Sequence, residues 1–292
     1  PSVLVYIPKF KNSDVLTGGN DSTHPAFIVN GVEIPGFYYG KYQAKVYNSV
    51  AYSLPGEDPT ASINFDTARA RCEAKGAGWH LSTNAEWAAI ALWCKKNGFL
   101  PYGNNNYGKD SRESNYKAVP SYYESSKIAR VATGTGPISW SHDKTMAGIW
   151  DMNGNVWEWI GGFRLNEGEI QVLANNDAAD NTKDQSAGSA LWKAIKAADG
   201  TLVAPGTAGT LKYDAAAAVT GGGAQAAILS DSKTNATNPG GNDYYTHNSF
   251  DTMGVKAGLT VPDLCRAPNK STTLPQNRNS YKLCSNSTHF QA

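Results

Sequence analysis

The sequence predicts an α+β fold, read as one domain over residues 1–292. Three observations carry this reading. Strand-like runs occupy 3–10 and 37–47, two well-marked helices lie between residues 65 and 98, and a further strand-like run, GIWDMNGNVWEWI, fills 148–160. A chain of 292 residues, 40% hydrophobic, is long enough to bury a sizeable core.

The first run, VLVYIPKF, and the second, FYYGKYQAKVY, are β-branched and aromatic, and Pro35-Gly36 punctuates before the second. In the first helix Phe65, Ala68 and Cys72 recur on one face, Asp66 sits in the first turn and Gly76 marks the stop. The second opens on Thr83-Asn84-Ala85-Glu86, a capping box in which Thr83 and Glu86 each satisfy an otherwise orphaned N–H. Its apolar stripe is Trp87, Ile90, Ala91 and Cys94, with Lys95 and Lys96 in the last turn and Gly98 beyond it. Residues 99–147 are polar and turn-rich, with Asn104, Asn105 and Asn106 in a row.

Past 160 the character changes to Ala, Gly, Thr, Asp and Asn with weak periodicity. One hairpin is predicted there, with Trp192–Ala197 and Thr201–Ala204 flanking an Asp199-Gly200 turn. Because it lacks a large apolar set, 161–258 reads as an insertion on a scaffold formed by 1–160. The polar segment 259–292 reads as irregular, and its Asn/Ser-rich composition is that of disorder.

Composition excludes several functions. Lys and Arg number 26 against 25 Asp and Glu, a net charge of +1, so no general basic field for nucleic acid is expected. No run of 18 apolar residues occurs, and no membrane insertion is expected. The four cysteines, Cys72, Cys94, Cys265 and Cys284, form no C-x-x-C pair, which argues against structural zinc. The chain opens on Pro1 without a methionine or a signal-peptide pattern, so its start is expected to be a processing point or an artificial boundary. Eight Trp and fifteen Tyr fit either a binding surface or the filling of a loop-rich core.

The chemistry motifs are sparse. His24, His80, His142, His247 and His289 are scattered without H-E-x-x-H, and no G-x-S-x-G elbow occurs. Gly221-Gly222-Gly223-Ala224-Gln225-Ala226 loosely fits a dinucleotide fingerprint but follows no strand, and reads as a flexible turn. Asp151-Met152-Asn153-Gly154-Asn155 opens like a calcium loop, then has Val156 at its sixth position and Gly162 at its twelfth, which excludes an EF-hand. Two readings stay open: another calcium geometry using Asp151, Glu158 and intervening carbonyls, or an Asn153-Gly154 turn with Glu158 facing water. Cys72 and Cys94 lie on apolar helical stripes and read as buried thiols, while a Cys265–Cys284 bridge is open in an oxidising setting.

VYIP at 5–8, GFYYGKYQAK at 36–45, INFDTARARCEAKG followed by GWHLSTNAEWAAIA, and GIWDMNGNVWEW at 148–159 together resemble one family in one order. It is the formylglycine-generating-enzyme (sulfatase-modifying-factor) domain, a branch of the C-type-lectin fold. The resemblance covers roughly residues 3–160 and is most specific at GNVWEW. It implies two helices around a twisted, mostly antiparallel sheet, with long loops carrying the binding face. It also implies a structural calcium ion held by Asp151, the carbonyls of Gly154 and Val156, and Glu158, with Asp151 standing where the family often has Asn. Catalytic members oxidise a substrate cysteine through a closely spaced cysteine pair near the C-terminus. Cys265 and Cys284 are too far apart to match it, and no R-G-G-S-W segment occurs. Related iron-dependent sulfur-transfer enzymes need a clustered His set, which this chain lacks.

A second branch is closer. GSALWKAIKAADGTLVAPGTAGTLKYD at 188–214 and LTVPDLCRA at 259–267 resemble variable proteins of diversity-generating retroelements, many carried on phage tails. The likeness stops after Ala267. The resemblance implies a non-catalytic ligand- or receptor-binding protein on a virion tail or cell surface. Its expected ligand is a bacterial surface protein or glycan, and tail proteins suggest a homotrimer by analogy. Asn242, Tyr244, Tyr245 and His247 are the candidate ligand contacts, set against a plain solvated Pro-Gly loop. The alternatives are a formylglycine-generating oxidase that brings Cys265 and Cys284 together, or a calcium-dependent sugar-binding lectin. The lectin lacks a Glu-Pro-Asn or Gln-Pro-Asp triplet.

Overall fold

The computed structural model describes residues 1–156, 158–166, 169–215, 227–230 and 242–243. The scaffold begins with β1 (Leu4–Pro8), a single turn α1 (Asn12–Val15), the short hairpin β2 (Ile28–Val29) and β3 (Val32–Glu33), and β4 (Gly36–Gly40). β1 and β4 pair antiparallel, Leu4 opposite Gly40 through Pro8 opposite Gly36. The hairpin β5 (Ala44–Tyr47) and β6 (Val50–Ser53) follows, then the two main helices, α2 (Phe65–Glu73) and α3 (Asn84–Lys96).

Both helices start and stop where the sequence places them. Asn64 caps α2 by accepting the Thr67 N–H, and Phe65, Ala68 and Cys72 are its buried face. The α3 capping box is complete: the Thr83 hydroxyl accepts the Glu86 N–H at 3.1 Å, and the Glu86 carboxylate accepts the Thr83 N–H at 3.1 Å. The burial of α3 exceeds its predicted stripe. Every residue from Asn84 to Leu92 is buried, because the helix runs through the centre of the main core. That core combines Val15, Phe27, Phe37 and Tyr39 with Trp87, Ile90, Leu92, Ile149 and Met152.

Two predicted strands differ. The run at 37–47 breaks over residues 41–43 into β4 and β5, where the Tyr42 N–H turns to the Ser53 hydroxyl at 2.9 Å and the Gln43 side chain becomes fully buried. The run at 148–160 is not a strand. Positive φ at Asp151 (60°), Gly154 (80°) and Asn155 (64°) cannot continue an extended chain, and isolated bridges from Trp150 to Ser141 and from Gly154 to Asn104 replace a ladder. The turn-rich region contains an unpredicted hairpin, β7 (Pro120–Glu124) and β8 (Lys127–Val131).

The described residues beyond 160 form a sheet with a buried apolar cluster of its own. Its strands are β9 (Phe163–Asn166), β10 (Glu169–Val172), β11 (Lys193–Ile195), β12 (Leu202–Val203), β13 (Lys212–Ala215), β14 (Ala227–Ser230) and β15 (Asn242–Asp243). β10 is central. β9 flanks it on one side, and β11 and β13 share the other. Ile160, Phe163, Ile170, Val172 and Ile195 pack together beneath it. The predicted hairpin is β11–β12, with Gly200 at φ 78° in its turn. This sheet is joined to the scaffold at Asn176. Its N–H donates to the Ile28 carbonyl, its amide donates to the Ala26 carbonyl and to Glu86, and its Oδ1 accepts from the Thr83 hydroxyl at 2.6 Å. Small helices and antiparallel sheets together make the architecture α+β.

Candidate functional site

The signature segment 151–158 lies at the meeting point of β4–β5, β8 and the loop 101–113. Gly154 is required there. A Cβ would stand 2.5 Å from the Asn104 carbonyl oxygen, and its φ is left-handed. Asn155 also adopts a left-handed conformation, which Asn tolerates best among residues with a side chain. Its side chain uses its full bonding capacity: Oδ1 accepts the Val131 N–H at 2.8 Å and Asn104 Nδ2 at 3.3 Å, and Nδ2 donates to the Val131 carbonyl at 3.0 Å and Gln43 Oε1 at 2.8 Å. The chain of bonds continues from Gln43. Its Nε2 faces the Asp151 carbonyl at 3.1 Å, the Gly154 carbonyl at 3.3 Å and Glu158 Oε1 at 3.4 Å.

Of the four residues the resemblance assigns to calcium, Asp151 and Glu158 are buried carboxylates at 0% and 1% exposure. Asp151 Oδ2 accepts the Gly134 N–H at 2.8 Å, while the Gly154 carbonyl and Glu158 Oε1 meet Gln43. Val156 is buried. The plain-turn reading had Glu158 facing water; the side chain is instead buried. No group of three or more His, Cys, Asp and Glu arranged to hold a metal occurs among the described residues.

Beside this segment a third buried carboxylate organises the loop. Asp110 accepts two side-chain bonds from Arg112, at 2.7 and 2.8 Å, plus the Gly103 N–H and Asn105 Nδ2, each at 3.1 Å. Arg112 also lies 3.8 Å from the Tyr102 ring centroid. Gln43, Asn104 and Asp110 were not singled out by sequence. The one signal was the Asn104–Asn106 run, which reads only as a turn.

The two described thiols are unreactive by environment. Burial pushes the pKa of both Cys72 and Cys94 up, and Asp143 adds to the effect at Cys94. They lie in different cores, Cys72 under α2 and Cys94 under α3. Cys265 and Cys284 lie outside the described residues. A Gly162-Phe163-Arg164 tripeptide opens β9 well ahead of both. Arg164 is structural: it donates to Gln171 Oε1 and the Ala187 carbonyl, and stacks 4.5 Å from Trp192.

The predicted ligand contacts fall at the edge of what is described. The Asn242 backbone is placed in β15, opposite Asn166 of β9. Tyr244, Tyr245 and His247 lie outside the described residues. Large exposed aromatics occur elsewhere, at Tyr116 (66%), Tyr122 (46%) and Tyr123 (57%) on and beside the β7–β8 hairpin.

No curated protein matches the chain significantly. Compared with protein families, residues 29–239, well over half the chain, match the Sulfatase-modifying factor enzyme 1-like domain. The match extends past the resemblance read at 3–160 and takes in the β9–β14 region, in keeping with the shared packing of sheet and scaffold. A capped central helix, a signature segment turning on left-handed Gly154 and Asn155 and a family match across both parts agree: the chain belongs to the sulfatase-modifying-factor enzyme 1-like domain family.

Proposed function

We propose that this chain is a non-catalytic ligand- or receptor-binding member of its family. In this reading it is displayed on a phage tail or a bacterial surface, is diversified by a retroelement, and takes a bacterial surface protein or glycan as ligand. The supporting observation is the presentation of tyrosines on a braced hairpin. Arg130 forks onto Asp58 at 2.9 and 3.0 Å and stacks 4.0 Å from the Tyr122 ring, while Tyr116 and Tyr123 stay more than half exposed. Rigid rings on a fixed frame give contact area at low entropy cost. Asn242, Tyr244, Tyr245 and His247 are the further proposed contacts, and Cys72 and Cys94 act only as core thiols.

The test is retention of the labelled chain on intact bacterial cells and on immobilised surface glycans. Retention should fall at least about tenfold when anchoring tyrosines are removed, as in Tyr122→Ala/Tyr123→Ala or Tyr244→Ala/Tyr245→Ala. Oxidation of a cysteine-containing sulfatase peptide in the presence of copper, abolished by Cys284→Ser, would overturn the reading in favour of the oxidase. Sequencing the flanking DNA tests the retroelement. A reverse-transcriptase frame with a repeat differing mainly at adenines supports it, and a neighbouring sulfatase gene without such a repeat counts against it.

A further inference from the structure

Taking the binding role proposed above, we infer that the ligand is an acidic polysaccharide, held on the face where the loop 104–109 meets the β7–β8 hairpin. Tyr107, Tyr116, Tyr123 and Lys127 are its centre. Tyr107 has φ at 51°, a left-handed conformation that is costly for a bulky side chain and persists only where its surroundings enforce it. They do so here. Asn104 Oδ1 accepts the Gly108 N–H at 2.6 Å, the Asn106 N–H donates to the Lys109 carbonyl at 2.9 Å, and the Lys117 N–H donates to the Gly108 carbonyl at 3.2 Å. Gly108 follows at φ 91°. A Cβ on it would stand 2.8 Å from Ile128 Cδ1 and 3.1 Å from Tyr116 Cδ1, so the glycine lets the Tyr116 ring lie against the loop. Ile128 is buried, and Tyr123 stands opposite it in the hairpin register, on the same face.

Charge decides the class of ligand. Within 105–131, Asp110 is taken by Arg112, and Arg130 by Asp58. Glu113 accepts the Asp110 N–H at 3.0 Å and the Trp140 indole N–H at 3.2 Å. Lys109, Lys117 and Lys127 form no ion pair among the described residues, and only Glu124, opposite Lys127 in the register, is left to balance them. On a chain whose net charge is +1, this face carries a local excess of cations. Lys127 Nζ is held 4.7 Å from the centre of the Tyr107 ring. The buried centres of protein interfaces are depleted in Lys. An acidic sugar suits the mixture better, since its C–H face lies on a tyrosine ring while its carboxylate meets an ammonium. A repeating polymer lets several such contacts act together.

The test measures retention of the full chain on immobilised polygalacturonate, alginate and hyaluronan, with uncharged dextran and a phosphate-bearing wall teichoic acid for comparison. Retention on intact bacterial cells, before and after protease treatment, is measured alongside. The carboxylated polymers should hold the chain and dextran should not. Raising sodium chloride from about 0.05 to about 0.5 M should weaken that binding at least about fivefold. Tyr116→Ala/Tyr123→Ala should weaken it at least about tenfold, and so should Lys117→Glu/Lys127→Glu. All four side chains are exposed, and an unchanged urea midpoint checks that each variant folds. If either pair does not fold, Tyr116→Ala and Lys127→Gln singly take its place. Equal retention on dextran, a preference for the teichoic acid, unchanged binding by both pairs, or no retention on any carboxylated polymer overturns the assignment of ligand. The cells separate that failure from failure of the binding role. A chain that stays on cells until protease strips them binds a protein, which overturns the ligand and keeps the role; a chain held by neither cells nor polymers refutes both.

Discussion

Single polar residues in and beside the core do much of the work of shaping this protein. Asn155 makes four side-chain hydrogen bonds from a left-handed conformation, so Asn155→Ala removes the bonds and worsens the backbone fit together. A loss of about 3 kcal/mol is expected, read as a lowered urea midpoint at unchanged slope. Buried imidazoles set the response to acid. His24 Nδ1 accepts the Ala26 N–H at 3.2 Å and His142 Nδ1 accepts the Ile149 N–H at 2.8 Å, so each ring must stay neutral at that nitrogen. Burial holds their pKa values down to about 3 and about 4. The unfolded chain takes up these protons near 6.5 and the folded chain does not. Their stabilisation is therefore full above about pH 6.5 and falls on acidification, by up to ~2 kcal/mol per histidine at about pH 5. His80 runs the other way. Burial opposes its charge, but the nearby Glu86 carboxylate, bonded at 2.9 Å, outweighs that and raises its pKa. Its contribution is complete below about pH 6.5 and disappears as pH rises through the raised value. Urea midpoints across pH should fall on the acid side less steeply in His142→Gln, and on the alkaline side less steeply in His80→Gln. An unchanged acid limb in His142→Gln would refute the neutral-acceptor assignment.

At the scale of elements, local chemistry explains the helices well and the hairpins unevenly. The β2–β3 hairpin turns on Asn30-Gly31, both at positive φ, the dipeptide that two-residue turns favour; it was readable in the sequence. The β7–β8 turn has the same geometry, with Ser125 at φ 46° and Ser126 at 63°, but carries none of the residues that signal it. Replacing the pair as Ser125→Asn/Ser126→Gly should stabilise the protein by about 1 kcal/mol, measured by chemical denaturation. The 148–160 run misled for a related reason. Its β-branched and aromatic residues suit a strand, but Asp151, Gly154 and Asn155 each leave the extended region, and burial does not alternate: residues 148–153 are all buried in succession.

Across the whole molecule, scaffold and sheet are coupled through the start of α3. Thr83 caps the helix and also donates to Asn176, which in turn bonds Glu86 and the Ala26 carbonyl. Thr83→Ala and Asn176→Ala should each destabilise the protein by about 1–3 kcal/mol. Because they share partners, the double variant should lose about 1 kcal/mol less than the sum. Strict additivity would mean that the two side chains stabilise the protein independently of each other. The same dependence on pairing hides the apolar cluster beyond 160 from the sequence. Its apolar residues are spread over short strands, with Ile160, Phe163, Ile170, Val172 and Ile195 coming together only when β9, β10 and β11 pair.

The sequence by itself determined the two helices with their caps and buried faces, the β11–β12 turn, the burial of Cys72 and Cys94, and the family resemblance of the signature segment. All of these depend on residues within a few positions of one another. Tertiary structure alone decided the roles of Gln43, Asn104 and Asn176. Gln43 meets Asn155 across 112 positions and Asn176 meets Ala26 across 150. A polar residue in a turn-rich stretch carries no mark of a distant partner, because the bond that makes burying it favourable forms only when the chain closes around it.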